Sequence, residues 1–345
     1  MVSLLSMKLL LFVSKSYSFS ILKPVQNAAE QSGHTVKWFT ANSAKVISPT
    51  KELLSSSDDV TKYKPDAVIV PGNVVPDFWP GVKVQIFHGL GEEKKGHYRI
   101  TGFFDLYCTP GPHMTEKFQT LSEKHGHFLV KETGWPKLDM LKTSTQNQRK
   151  LSFGLQQDDP IILYAPTFSP RYTSAPALLS TITRLCNVKP FHWFVKFHPL
   201  MDINTISKYK SIQKDNLRII DDPDVIPAME ASDILITDTS SVAHEYLFLD
   251  RPIITYKATT RKNKGINLTN PEDLESAIEV SLASPKQFSS NRLSYLNQLH
   301  PYTDGKSSER IINTIQTVLD SEEHLNLKSK PKNWIKKYQI RRYFR

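Results

Sequence analysis

The chain has 345 residues, 39% hydrophobic and 23% charged, which describes a globular protein long enough for two or three domains. It contains no run of 18 or more uninterrupted apolar residues, which excludes a membrane-spanning helix. Its two cysteines, Cys108 and Cys186, are too few and too far apart to suggest a disulfide scaffold or a metal site, which fits a reducing cytoplasm. The net charge of +10 is uneven: eight Lys or Arg and no acid lie between Lys328 and Arg345, leaving about +2 for the rest, so no nucleic acid is expected as a partner.

Met1 to Val13 is apolar apart from Lys8, but Ser14-Lys15-Ser16 offers no small-residue cleavage site, so the segment reads as a first buried strand; Met7 is an alternative start. A helix from about Leu22 to Gln31, ended by Gly33, and a strand from Thr35 to Phe39 follow. Asp66 to Val70, Val82 to Phe87 and Phe104 to Cys108 are further strands, each running into a loop rich in Gly, Pro or His. A helix carrying Met114 and Phe118 comes next. After a polar break at Lys142 to Lys150 the scheme repeats with strands at Pro160–Tyr164, Trp193–Phe197, Leu217–Ile220, Ile234–Ile236 and Ile253–Tyr256. Strands alternating with helices predict two doubly wound, Rossmann-like sheets of the α/β class facing a ligand cleft, with ligands at the carboxyl ends of the strands. The domains are expected at 1–145 and 146–315, with a C-terminal helix and basic aromatic tail at 316–345. No G-x-G-x-x-G or P-loop occurs, so neither a dinucleotide nor an ATPase site is indicated, and no cofactor or metal is called for.

The stretch Ile234 to Tyr256 joins an apolar strand, the polar turn Asp238-Thr239-Ser240-Ser241 and a helix start at Val242, before Asp250-Arg251-Pro252 stops the helix. Free backbone N–H groups beside hydroxyls suit a phosphate, while an ordinary capped connection has the same pattern, and on this stretch alone both readings stand. His88, where a strand gives way to Gly89, is placed to act as a general base, and a strand-end histidine is also often structural. His198, before Pro199, is placed to donate to a phosphate oxygen, and Thr167 offers a hydroxyl at a third strand exit. His125-Gly126-His127 lacks the second ligand pair that zinc would need.

Six separated motifs occur together: His88-Gly89, Thr133-Gly134-Trp135-Pro136-Lys137-Leu138-Asp139, Leu163 to Phe168, Phe197-His198-Pro199, Thr237 to Val242 and Asp304 to Ile311. In this order they resemble the CDP-glycerol glycerophosphotransferases, the teichoic-acid primases and polymerases and related capsule enzymes, over roughly Val84 to Ile311. The resemblance implies a GT-B fold and transfer of glycerol phosphate from CDP-glycerol, or a related nucleotide-activated donor, to an acceptor hydroxyl, with release of CMP. It implies that His88 is the base and that His198, with Ser240 and Ser241, holds the donor pyrophosphate, so His88 and His198 are the expected catalytic residues. Thr167, Asp238 and Thr239 join that donor site, and Glu245 stands where such enzymes contact the ribose. On the same resemblance His88, Gly89 and Lys94 are expected to form the acceptor side, although Leu90 to Lys95 departs from the Thr-Pro usual there.

These readings predict a cytoplasmic transferase, peripheral on the inner face of the plasma membrane, that acts on a surface polymer or its lipid-linked precursor. Trp334, Ile335, Tyr338, Tyr343 and Phe344 interleave with basic residues, a composition that suits an anionic membrane surface between Lys328 and Arg345. A solvated or domain-crossing helix is the alternative for that segment. For the whole chain the alternatives are a GT-B glycosyltransferase or nucleotide-sugar epimerase using another donor, and a non-catalytic membrane or nucleic-acid binding protein.

Overall fold

Short runs of Val, Ile, Leu and Phe build the two sheets of the protein. A computed structural model describes residues 6–41, 52–91, 98–141 and 144–344. The first sheet contains β1 Lys8–Val13, β2 Thr35–Thr40, β3 Leu53–Leu54, β4 Ala67–Val70, β5 Val82–Gln85, β6 Leu106–Thr109 and β7 Leu129–Glu132. The second contains β8 Ile161–Tyr164, β9 His192–Val195, β10 Leu217–Ile219, β11 Ile234–Thr237, β12 Ile253–Tyr256 and β13 Ile266–Leu268. Their orders are β3-β2-β1-β4-β5-β6-β7 and β10-β9-β8-β11-β12-β13, and every pairing is parallel. Leu9 to Val13 and all residues of β4, β8, β11 and β12 are buried, as expected for parallel strands covered by helices on both faces.

The helices are α1 Ser18–Gln31, α2 Ser57–Tyr63, α3 Pro112–His125, α4 Gln146–Ser152, α5 Ala175–Val188, α6 Ile203–Ser211, α7 Ile226–Ala231, α8 Val242–Tyr246, α9 Leu274–Ala283, α10 Ser289–Leu299, α11 Ser307–Asp320 and α12 Trp334–Phe344. Two Rossmann-like α/β units of the expected GT-B type result. One contains 1–140 and 297–345 and the other 141–296.

The sequence reading differs from this architecture in three places. Residues 297–315, expected in the second domain, belong to the first unit, because Asp139 and Trp135 of that unit bind the backbone of Ser308 and the ring of His300. Helix α4 begins inside the polar break at 142–150, with a capping box that pairs Thr145 with Gln148; Lys142 and Thr143 lie outside the described residues. Strands β3, β7 and β13 were not expected. Each is short, at a sheet edge and incompletely buried, so it lacks a core strand's apolar run.

Candidate active site

Reversal of strand order in a parallel sheet leaves a crevice at the carboxyl ends of the two strands on either side of the reversal. In the second unit these strands are β8 and β11, with β9 next to β8. Their exits carry Thr167, Asp238 to Ser241 and His198, so the fold brings together the donor-side residues singled out in the sequence.

Asp238 organises the exits. Its buried carboxylate accepts the backbone N–H of Thr167 at 2.9 Å, the backbone N–H of Ser174 at 2.8 Å and the Ser174 hydroxyl at 2.9 Å. Burial raises its pKa, against the effect of these donors. The Ser174 hydroxyl also lies 2.8 Å from the Tyr164 hydroxyl, which ties the far end of the loop to the core. The polypeptide from Ala165 to Ser174 is thereby fixed against the β11 exit, and Thr167 is set by a backbone bond to Asp238.

His198 is exposed at the β9 exit and stacks on Phe168, with ring centroids 4.3 Å apart and planes inclined by 26°. The Leu200 backbone N–H donates to its Nδ1 at 3.1 Å, so the neutral ring carries its proton on Nε2. That tautomer makes Nε2 a donor, the role a phosphate oxygen needs. Phe168 is part of a quoted motif but was not named as a site residue; its signal is the aromatic next to Thr167.

The expected helix after Ser241 is short: α8 ends at Tyr246, Leu247–Leu249 form a 3₁₀ turn, and Asp250 is left-handed at φ 47°. Ser241 makes no side-chain capping bond, Ser240 and Ser241 are partly exposed and Thr239 is exposed. All three residues are thus solvent-accessible at the β11 exit, whereas Glu245 is buried on α8. Among the described residues no group of three or more His, Cys, Asp or Glu is arranged to hold a metal ion.

In the first unit the order reverses between β1 and β4, and β5 lies beside β4. His88 and Gly89 follow β5, and Tyr17, just beyond β1, places its ring 5.9 Å from that of His88. Phe87, immediately before His88, is buried and left-handed at φ 60°, a conformation that β-carbon sterics disfavour. The indole N–H of Trp135 donates to its carbonyl oxygen at 3.2 Å. Lys94, the remaining acceptor-side residue, lies outside the described residues.

This geometry belongs to a chain whose residues 81–317 match the profile of the family described as CDP-Glycerol:Poly(glycerophosphate) glycerophosphotransferase. The chain belongs to that family. It is a transferase of the CDP-glycerol glycerophosphotransferase type. It is 30% identical over 264 residues to the teichoic acid glycerol-phosphate primase of Bacillus subtilis (strain 168), which covers 68% of this chain and 68% of the primase. To the teichoic acid poly(glycerol phosphate) polymerase of Bacillus spizizenii (strain ATCC 23059 / NRRL B-14472 / W23) it is 29% identical, over 47% of this chain and 43% of the polymerase. The structure of the wall teichoic acid polymerase TagF superimposes with a TM-score of 0.69 at 17% identity, covering 92% of this chain and 89% of that one, a likeness of fold. Family membership favours phosphotransfer over the glycosyltransferase, epimerase and non-catalytic readings.

Proposed function

We propose that the chain moves glycerol phosphate from CDP-glycerol to a hydroxyl of a poly(glycerophosphate) or lipid-linked acceptor, with His88 as general base and the donor held by the second unit. The acceptor hydroxyl loses its proton to His88 as its oxygen bonds to the glycerol-bearing phosphorus. The bond from that phosphorus to the bridging oxygen breaks, and CMP leaves with the electron pair. Phosphoryl transfer of this kind depends on positioning and on donors around the developing charge. His198 Nε2, the hydroxyls of Ser240 and Ser241, and Thr167 are such donors. Asp238 acts by holding Thr167, Thr239 borders the phosphates, and Glu245 on α8 is assigned to the ribose side. The observation that carries this reading is the convergence of family motifs on the β8 and β11 exits, with His198 stacked on Phe168 beside them.

We also place the enzyme on the inner face of the plasma membrane through its C-terminal segment. Helix α12 has two faces. Phe344 packs on Phe12, Phe39 and Trp79, with centroids 5.5, 6.1 and 5.9 Å away, while Trp334, Ile335 and Tyr338 are 74%, 76% and 67% exposed among basic residues. Apolar rings beside cations fit an anionic lipid surface. No helix among the described residues is long and apolar enough to cross a membrane.

Thermal shift separates the two histidines. CDP-glycerol at about 100 times its dissociation constant is expected to stabilise the protein by roughly 2.7 kcal/mol. His198→Ala is expected to lose most of that shift. His88→Ala is expected to keep it while losing CMP release. Full turnover by His88→Ala would remove the base assignment, and stabilisation by UDP-sugars in place of CDP-glycerol would remove the donor assignment.

A further inference from the structure

His88 follows a residue, Phe87, whose left-handed backbone needs support from its surroundings. A non-glycine residue in the left-handed region costs on the order of 1–3 kcal/mol and persists where its surroundings over-determine it. Phe87 meets that condition in two ways. Its ring is buried against Phe118 and Tyr107, with centroids 5.1 and 6.1 Å away, and its carbonyl oxygen accepts the Trp135 indole N–H. This carbonyl belongs to the peptide unit that leads into His88, so the direction of that unit sets where the imidazole starts.

Trp135 is itself held. It follows Gly134, which is left-handed at φ 85° and whose absent β-carbon would stand 2.4 Å from the Ser307 hydroxyl oxygen, so the chain approaches α11 closely there. The backbone N–H of Trp135 donates to His300 Nε2 at 2.8 Å. A backbone N–H is only a donor, so Nε2 is an acceptor and the His300 proton sits on Nδ1. His300 is completely buried, and burial lowers its pKa to about 4, which keeps the ring neutral at physiological pH. Packing alone would be met there by a leucine or phenylalanine; the feature specific to His300 is an acceptor aimed at Trp135.

We propose that Trp135 and His300 are positioning residues for His88, acting through the carbonyl of Phe87. The proposal rests on the reading of His88 as the base. Loss of the indole donor frees the Phe87 carbonyl to rotate, and His88 then leaves its catalytic position while the donor site in the second unit is untouched.

The test uses the full chain, with CDP-glycerol as donor, poly(glycerol phosphate) as acceptor and CMP release as readout. Trp135→Phe fills most of the same space without the N–H, and His300→Leu removes the acceptor. Both are expected to lower kcat by on the order of 10²-fold, the effect of an ångström-scale misplacement, with KM for CDP-glycerol within about two-fold. His300→Gln, whose amide oxygen extends about as far as Nε2, is expected to recover at least about ten-fold of the loss. A purely structural role would lower the melting temperature without this split or rescue. With His88→Ala inactive, wild-type kcat in Trp135→Phe, or equal kcat in His300→Gln and His300→Leu, would overturn the positioning role alone. Full turnover by His88→Ala would remove the base reading and this inference with it. Trp135→Phe carries the test where His300→Leu does not fold.

Discussion

The carboxylate of Asp139 accepts the backbone N–H of Ser308 at 2.7 Å and that of Ser307 at 3.0 Å, across 169 and 168 residues of sequence. It thus satisfies two of the open donors at the start of α11 from another part of the chain, and its charge complements the positive end of the helix dipole. Two of the family motifs, Thr133 to Asp139 and Asp304 to Ile311, meet here, so part of their role is to return the chain to its first unit. Asp139→Ala is expected to lower unfolding stability by about 2 kcal/mol, the range of a charged acceptor on backbone donors. Chemical denaturation measures this, and a loss below about 0.5 kcal/mol would show that the contact is not needed to hold α11.

Asp238 is the corresponding contact in the second unit, with the difference that its loop carries Thr167. Asp238→Ala removes the acceptor for three donors and is expected to raise the dissociation constant for CDP-glycerol about ten-fold or more, by loosening the loop from Ala165 to Ser174. Asp238→Asn retains one acceptor oxygen and needs no ionisation in a buried site, so it is expected to fall between Asp238→Ala and the unaltered protein. Isothermal titration with CDP-glycerol is the measurement. Equal affinity in all three proteins would assign Asp238 to stability alone.

His300 also sets a pH dependence of stability. Its pKa is lowered from 6.5 to about 4 in the folded protein, so between these values the unfolded chain binds more protons, and stability falls as the pH drops through that window. The loss from pH 7 to pH 5 is expected to be about 2 kcal/mol from this residue. His300→Gln cannot titrate there and is expected to flatten that part of the profile. Denaturation midpoints at pH 5, 6 and 7 test it, and parallel profiles for the two proteins would contradict the assignment.

Much of the fold was legible because buried parallel strands require continuous apolar runs, as in Leu9 to Val13 and Ile234 to Ile236. Edge strands lack that requirement: β7 alternates neither in burial nor in polarity, and β3 has only two residues. Candidate site positions were legible for a related reason, since His88, Thr167 and His198 each stand where an apolar run ends at a strand exit. The supports behind them were not legible. Trp135 and His300 are 165 residues apart, and Asp238 and Ser174 are 64 apart, so nothing in local spacing connects an acceptor to its donor. The same holds for the return of 297–315 to the first unit, which is marked by distant contacts such as Asp139 to Ser308 and Trp135 to His300 rather than by any composition boundary.

The C-terminal helix allows packing and membrane binding to be separated, because its two faces do different things. Phe344→Ala removes a ring that closes the cluster of Phe12, Phe39 and Trp79 and is expected to cost about 3 kcal/mol, near the lower end for loss of a packed aromatic because the ring is only partly buried. Trp334, Ile335 and Tyr338 project from the other face, and their combined replacement by Ala or Ser is expected to change stability by less than about 0.5 kcal/mol. The same triple variant is expected to lose binding to phosphatidylglycerol vesicles, with CMP release on soluble poly(glycerol phosphate) retained. Binding by the unaltered protein should weaken with added salt, since part of the attraction comes from Lys336, Arg342 and their neighbours. If the triple variant sediments with vesicles as the unaltered protein does, the exposed rings of α12 are not the docking surface, and the helix serves the fold of the first unit alone.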